Sequence, residues 1–255
     1  ISDIYAMGGT PLMAISILGW PLTRLPTSIA GRLRAGAVDI CKLAGIPLAG
    51  GHSIDISDPV FGLSVTGLAD KDCIRQNNTA RSGCRLFLSK PLGTGILSTA
   101  AKKNLLEEQD YLNSVAWMTK LNSSGTELGK MECVRAMTDV TGFGLLGHLL
   151  EICEGSKLTA RIHFNSIPKL DNIERYIDKN CIPGGTYRNW KSYGDKIAEI
   201  NEFHKMVLAD PQTSGGLLVA VDRDAHDFDA FAAGNGFIEI GELEEPEQKK
   251  VIFVD

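Results

Sequence analysis

The sequence lacks several features that would assign it to common functional classes. No apolar run reaches the length that crosses a bilayer, so we expect no membrane partner. Lysine and arginine form no basic stripe and the net charge is −5, which argues against nucleic acid as a partner. The six cysteines form no CxxC pair, so they are interpreted as reduced thiols and not as a zinc centre. Together with the absence of a basic signal-peptide segment at the start, this predicts a cytoplasmic location.

Glycine is abundant, and the apolar content is that of a globular protein. The chain has 255 residues, of which 27 are glycine and 44% are hydrophobic. Hydrophobic periodicity predicts an amphipathic helix over residues 26–45, and strands alternate with helices along the rest of the chain. A polar, turn-rich segment at residues 69–83 indicates a domain boundary. We therefore expect an α/β (α+β) fold with domains at residues 1–69 and 70–255.

The stretch DVTGFGLLGHLLE, residues 139–151, predicts the end of a strand, a turn and the start of a helix. Thr141 is a candidate N-cap residue, and Leu145 and Leu149 recur at helical spacing. A carboxylate at the carboxyl end of a strand faces the crevice in which α/β folds bind ligands. Because no basic residue lies within three positions of Asp139 in the sequence, it is either a capping group or a ligand.

Asp3 lies on a short helical stretch with no lysine or arginine three or four residues away. It is either a solvated or capping carboxylate or a ligand of Mg²⁺, a cation that prefers carboxylate and phosphate oxygens.

The segment LAGGHSID, residues 48–55, contains a glycine pair that we place directly after a strand. Such a pair lets backbone N–H groups approach an anion, and His52 and Ser53 would donate to phosphate. The alternative is a tight turn with a satisfied histidine.

Two further glycine-containing segments are interpreted as structural. KPLGTGIL, residues 90–97, resembles a phosphate cradle, but no Gly-Lys-Ser/Thr closes it, so a sharp strand-to-helix turn is favoured. DPQTSGG, residues 210–216, is a dense turn in which Asp210 and Thr213 bond the local backbone.

The segment IPGGTYRN is predicted to be a loop that gathers Thr186, Arg188 and Asn189 after a flexible glycine pair. Arg188 would clamp a phosphate with two parallel hydrogen bonds, and the other two side chains would assist it. The alternative is a surface turn whose arginine pairs with a nearby carboxylate.

Taken in order, these segments resemble the selenophosphate synthetase (selenide, water dikinase) family over the whole chain. The combination of SDIYAMGG, GGHSID and PGGTYRN is specific to this family, whereas other proteins of the superfamily share looser forms of two further segments. The matching segments are SDIYAMGGTPLMAISILGWP, LAGGHSID, FGLSVTGLA, KPLGTGIL, AMTDVTGFGLLGHLLE, IPGGTYRN and DPQTSGGLLVAV.

The resemblance implies a two-domain fold like that of aminoimidazole ribonucleotide synthetase. The first domain would bind ATP and form a homodimer, and the second would be a mixed sheet flanked by helices. The implied reaction uses ATP, selenide and water and yields selenophosphate, AMP and orthophosphate, with Mg²⁺ as the cofactor.

Carried over by position, Asp3 and Asp139 match magnesium-binding aspartates, and Asp3 thereby also contacts the nucleotide. Gly51, His52 and Ser53 match a segment that touches ATP bound mainly by the partner subunit. The resemblance thus favours the ligand interpretation of Asp139. A triphosphate requires neutralisation, and divalent cations held by carboxylates supply it where no lysine-rich cradle exists.

The family's glycine-rich amino-terminal arm, with its catalytic cysteine or selenocysteine and its lysine, has no counterpart here. We therefore expect a truncated first domain, no catalytic residue among the cysteines present, and no selenophosphate synthesis by this piece alone. Exposed sheet edges in residues 1–69 would favour rearrangement or association, with residues 70–255 as the stable core.

Three alternatives stay open at this point. The chain is another ATP-using member of the superfamily, such as a purine-pathway synthetase or thiamine-phosphate kinase, or it is a non-catalytic nucleotide-binding relative. The third is a purely structural role without a ligand.

Overall fold

The computed structural model describes residues 1–247 and 250–255, which form two sheets with helices packed against them. The strands are β1 Thr10–Trp20, β2 Leu48–Asp55, β3 Val60–Leu68, β4 Arg85–Leu88, β5 Val134–Asp139, β6 Thr159–Ile162, β7 Leu217–Val221, β8 Ile238–Glu244 and β9 Ile252–Val254. The helices are α1 Ser2–Ala6, α2 Thr27–Leu43, α3 Thr94–Lys102, α4 Glu108–Thr119, α5 Ser124–Leu128, α6 Gly144–Ser156, α7 Ile173–Asp178, α8 Gly184–Tyr193, α9 Glu202–Leu208 and α10 His226–Asn235.

The first sheet has three strands in the order β2-β1-β3. Strand β1 pairs with β2 in parallel and with β3 in antiparallel orientation, and α2 supplies the crossover between the parallel pair. The small core of this part contains Ala14, Cys41 and Ile46. Ile29 and Leu33, which lie four residues apart on the apolar face of the amphipathic helix predicted over 26–45, are exposed.

The second sheet has six strands in the order β5-β7-β4-β8-β6-β9. Among the strands that the structure describes in this sheet, β6 and β9 alone pair in parallel, so this is the mixed sheet that was expected. One face carries the largest apolar cluster, to which α3 and α6 contribute, and the other carries a smaller cluster around Phe87 and Phe228. The apolar core of the three-stranded part is therefore far smaller than that of the six-stranded part.

The predicted loop at IPGGTYRN is wrong, because these residues form helix α8 with Pro183 at its N-cap position. Thr186, Asn189 and Tyr193 are its buried residues, and they recur at helical spacing. The buried face is polar and aromatic, so a search for apolar periodicity does not detect the helix.

Two further local predictions are wrong. Thr141 does not cap α6, because the helix begins at Gly144 with Phe143 at the N-cap position. Gly50 and Gly51 do not follow β2 but lie within it, since the strand continues to Asp55. At Gly51 a Cβ would lie 2.2 Å from the Ser16 carbonyl oxygen of β1, so the close approach of two strands requires this glycine.

None of the helices in the described ranges combines the length and the apolarity needed to cross a membrane.

Candidate nucleotide and cation site

The structure brings Asp3 and Asp139 to one cleft between α1 and the end of β5. Both residues line two adjoining cavities of about 330 Å³ and 360 Å³. Asp3 comes from the first turn of α1, and Asp139 is the last residue of β5. Two carboxylates that are distant in the sequence therefore share one solvent-accessible space.

Both carboxylates have oxygens available for a cation. The Asp3 side chain is 90% exposed and Asp139 is half-buried. Among the described residues, neither carboxylate accepts a hydrogen bond from another residue's side chain or amide. Hard carboxylate oxygens suit Mg²⁺, which retains water ligands and takes further oxygens from phosphates. The donor set therefore fits magnesium with a nucleotide.

The part of the chain that the structure describes contains no group of three or more His, Cys, Asp or Glu side chains arranged to hold a metal. A cation at Asp3 and Asp139 would thus take its other ligands from water and from phosphate oxygens.

Lys90 is a basic neighbour of Asp139 that sequence reasoning missed. Lys90 is only 3% exposed, and its Nζ donates to the carbonyl oxygens of Lys120 at 2.6 Å and Ser214 at 2.9 Å. The pKa of Lys90 is lowered from 10.5 to about 8, mainly by burial and also by the charge of Lys120, whereas Asp139 opposes the decrease. Since Lys90 lies on the turn after β4, only the fold reveals that it is close to Asp139.

Thr141 lines the same cleft, and its side chain contacts a buried histidine. The Thr141 hydroxyl is 3.1 Å from Nε2 of His148, and Nδ1 of His148 is 3.3 Å from Oε2 of Glu151. Because a carboxylate only accepts, Nδ1–H donates to Glu151 and Nε2 accepts from Thr141 when the imidazole is neutral. The sequence signal for this contact was that His148 and Glu151 are three residues apart on a predicted helix, a spacing that places two side chains next to each other.

The structure does not bring Gly51, His52 and Ser53 to this cleft. These residues lie on β2 at the edge of the three-stranded sheet, and their side chains are exposed. Their predicted contact with a nucleotide bound by a partner subunit stays a prediction.

Thr186, Arg188 and Asn189 do not form a common polar pocket. Thr186 is fully buried, and its hydroxyl has no hydrogen-bond partner among the described residues. Asn189 donates to the carbonyl oxygens of Gly142 at 2.9 Å and Ala209 at 3.1 Å. Asn189 therefore supports the backbone after Asp139, whereas Arg188 is exposed on α8.

The 210–216 turn occupies the amino terminus of α3, so both segments have the structural role that was expected. The prediction that Asp210 bonds the local backbone is wrong, because its carboxylate accepts from the distant amides of α3. Asp210 Oδ2 accepts from the amides of Gly95 at 3.1 Å and Ile96 at 3.4 Å. Gln212 Oε1 accepts from the amides of Gly93 at 3.1 Å and Thr94 at 3.3 Å. These protein groups satisfy the amides that would otherwise be available to a phosphate.

A larger cavity of about 810 Å³ lies elsewhere, around the ion pair of Arg135 and Asp222. None of the predicted site residues lines it. We place the candidate site in the smaller cleft and not in this larger cavity, because the two carboxylates converge in the cleft.

Comparison with known proteins agrees with this architecture. The family model for the AIR synthase related protein N-terminal domain matches residues 1–69, and that for the C-terminal domain matches residues 81–254.

Solved structures support the same fold at low sequence identity. Thiamine-monophosphate kinase from Stenotrophomonas maltophilia superposes with a TM-score of 0.74 at 16% identity, covering 100% of this chain and 75% of that one. The hydrogenase maturation protein HypE in complex with ATP gives a TM-score of 0.70 at 15% identity, covering 95% of this chain and 68% of that one. The molecule is thus a two-part α/β protein of the AIR synthase-related class.

Curated relatives are much closer in sequence. The selenide, water dikinase of Pseudomonas aeruginosa is 54% identical over 248 residues, which cover 96% of this chain and 72% of that protein. The selenide, water dikinase of Photobacterium profundum is 55% identical over 225 residues, covering 88% of this chain and 65% of that protein. The chain belongs to the selenide, water dikinase family.

Proposed function

We propose that this chain carries the nucleotide and cation site of an ATP-dependent enzyme that makes selenophosphate from selenide and water, releasing AMP and orthophosphate. The observation that carries the proposal is the convergence of Asp3 and Asp139 on one cleft. The relatives at 54–55% identity are named selenide, water dikinase, which favours this chemistry over that of the structural neighbours at 15–16%.

Within this proposal, Asp3 and Asp139 hold Mg²⁺ against the phosphates of ATP. The bound cation supplies charge neutralisation for the polyphosphate. The buried Lys90 places a positive charge near Asp139. Its ammonium donates to backbone carbonyl oxygens and not to the carboxylate, so the carboxylate oxygens stay available. The Thr141 hydroxyl, oriented by His148, presents a polar group to the same space.

The nucleotide would also contact a second subunit. Strand β2 is exposed along its length at the sheet edge, so Gly51, His52 and Ser53 are accessible to a ligand held by a partner. We place the active form in the cytoplasm as a homodimer. Arg188 is exposed on the surface of α8, and its proposed phosphate contact would be to this same nucleotide between the subunits.

The functional assignment is tested by ³¹P NMR of reactions that contain the intact enzyme, ATP, Mg²⁺ and selenide. We expect selenophosphate, AMP and orthophosphate. Formation of ADP alone, or of a phosphorylated organic substrate in place of selenophosphate, would contradict the proposal.

The site is tested separately by calorimetry with Mg²⁺ and a non-hydrolysable ATP analogue. Asp139→Asn and Asp3→Asn should each weaken magnesium-dependent binding by roughly 10-fold or more, since each removes one charged oxygen ligand. Asp178→Asn on the exposed surface of α7 is the matched control and should bind like the unmodified protein. Equal affinities in all variants would exclude the cleft as the cation site.

A further inference from the structure

The two aspartates of the cleft lie on separate parts of the fold, so their relative position depends on contacts between these parts. Asp3 lies on α1, which precedes the three-stranded sheet, and Asp139 ends a strand of the six-stranded sheet. Cations bridging both carboxylates require that α1 keep a fixed position against the end of β5.

Asn122 connects the two sides of the cleft directly. It is 4% exposed, and its Nδ2 donates to Ser2 Oγ at 2.8 Å and to the carbonyl oxygen of Gly215 at 2.9 Å. Ser2 immediately precedes Asp3. One amide group therefore joins the helix that carries the first carboxylate to the loop beside the second.

The loop that Asn122 holds is pressed against the residue after Asp139. A Cβ at Gly215 would lie 2.2 Å from the carbonyl oxygen of Val140, so the backbones are in direct contact. The amide of Val140 donates to the carbonyl oxygen of Gly216 at 2.8 Å. Movement of this loop would therefore move the end of β5.

Lys90 forms a second connection between the segment that carries Asn122 and the loop that carries Gly215. It donates to the carbonyl oxygen of Lys120, two residues before Asn122, and to that of Ser214, the residue before Gly215. Ser214 has a φ of 51°, a conformation that a residue other than glycine keeps only where its surroundings impose it.

We propose that Asn122 is a positioning residue for the cation site: its bridge from Ser2 to Gly215 fixes Asp3 and Asp139 at the separation that lets them share the cations of the nucleotide. This inference rests on the proposed function, because it assigns Asn122 a role at that same site. Side chains that orient metal ligands without touching the metal typically change metal affinity by roughly 10- to 100-fold when they are removed.

The test uses the intact enzyme and a fluorescent non-hydrolysable ATP analogue, titrated with Mg²⁺. Asn122→Ala and Ser2→Ala should each raise the Mg²⁺ concentration at half-saturation by roughly 10-fold or more. Binding of the analogue without Mg²⁺ should stay unchanged. Ser2→Thr keeps the acceptor hydroxyl and should restore the affinity of the unmodified enzyme.

Thr126→Val is the matched control for a purely structural role. Thr126 Oγ1 also joins the two parts of the fold, by donating to the carbonyl oxygen of Gly9 at 2.6 Å, but it does not line either cavity of the cleft. It should lower the melting temperature without changing the Mg²⁺ requirement by more than about 2-fold.

Two results would overturn the inference in distinguishable ways. If the unmodified enzyme shows no magnesium-dependent binding, the proposed function fails and the positioning role fails with it. If it does, but Asn122→Ala and Ser2→Ala change only the melting temperature, or shift the Mg²⁺ requirement no more than Thr126→Val does, the positioning role alone is wrong. Should Asn122→Ala fail to fold, Ser2→Ala still decides between these outcomes.

Discussion

At the scale of single residues, the site depends on charges that are close only in the folded chain. The basic residue nearest to Asp139 in the sequence, Arg135, pairs with Asp222, whereas the buried ammonium of Lys90 acts on Asp139 in space. Lys90 donates to backbone carbonyls instead of to the carboxylate, so the oxygens of Asp139 stay available. The cleft thus combines the positive charge of Lys90 with carboxylate oxygens of Asp139 that are free to bind a cation.

Asp210 gives a prediction about pH at this scale. Burial raises the pKa of Asp210 from 3.8 to about 8, although hydrogen bonds from Gln212 and from the amides of Ile96 and Gly95 oppose the increase. The folded chain therefore binds this proton more tightly than the unfolded chain does. The stability that results is fully present below about pH 4 and is lost as the pH rises through about 8.

We expect Asp210→Asn to remove this pH dependence, because asparagine keeps an acceptor oxygen for the amides but does not ionise. Urea unfolding at several values from about pH 5 to about pH 8 measures it. The unmodified protein should lose at most about 1.4 kcal/mol per pH unit relative to the variant. Parallel stability curves for the two proteins would show that Asp210 is ionised in the folded state.

At the scale of elements, α3 depends on a loop that is distant in the sequence. Its first amides are satisfied by Asp210 and Gln212, and Gly95 is in close contact with this loop. A Cβ at Gly95 would lie 2.4 Å from the carbonyl oxygen of Pro211 and 2.5 Å from Oδ1 of Asp210. Only glycine lets the helix start approach the loop this closely.

Gly95→Ala should therefore destabilise the protein by about 1–3 kcal/mol through overpacking, despite the better helix propensity of alanine. Gly234→Ala in α10 is the matched control, because a Cβ there meets nothing within 4 Å. It should be neutral or stabilise by up to about 1 kcal/mol. Thermal unfolding of both variants compares them, and equal effects would contradict the proposed contact.

Elements with a clear apolar period could be predicted from the sequence, whereas the others required tertiary contacts. The helix over 26–45 and the helix after Asp139 are present as α2 and α6, although Ile29 and Leu33 on the apolar face of α2 are exposed, whereas the apolar residues of α6 are buried. Helix α8 was missed since Thr186, Asn189 and Tyr193, and not aliphatic residues, form its buried face. The candidate site could be predicted only in part: the family resemblance indicated the two carboxylates, whereas Lys90 and Asn122 act through partners that are distant in the sequence.

At the scale of the whole molecule, the two parts differ in how much apolar surface they bury. The second part encloses the large core, whereas the first exposes a row of apolar side chains on its sheet and on α2. The exposed residues are Leu12, Met13, Ile15, Ile17, Ile29, Leu33, Ile54 and Val60. Met13, Ile15 and Ile17 alternate along β1 and therefore share one face of the sheet, and exposed apolar side chains grouped in this way are typical of association surfaces.

We expect the chain to associate through this surface. Ile17→Lys should shift the mass measured by light scattering towards the monomer, because a charge in the centre of β1 opposes burial. Leu112→Lys on α4 is the control, since that side chain is similarly exposed outside the patch. A monomer before any substitution would contradict the expectation.

The central claim, that Asp3 and Asp139 share the cations of a bound nucleotide, is tested most directly by crystallography. Crystals of the intact enzyme with Mn²⁺ and a non-hydrolysable ATP analogue would give anomalous peaks that locate the cations. We predict peaks in the cleft between α1 and β5, at about 2.1 Å from carboxylate oxygens of both residues. Peaks elsewhere, with Asp3 and Asp139 paired to arginine or lysine instead, would contradict the claim.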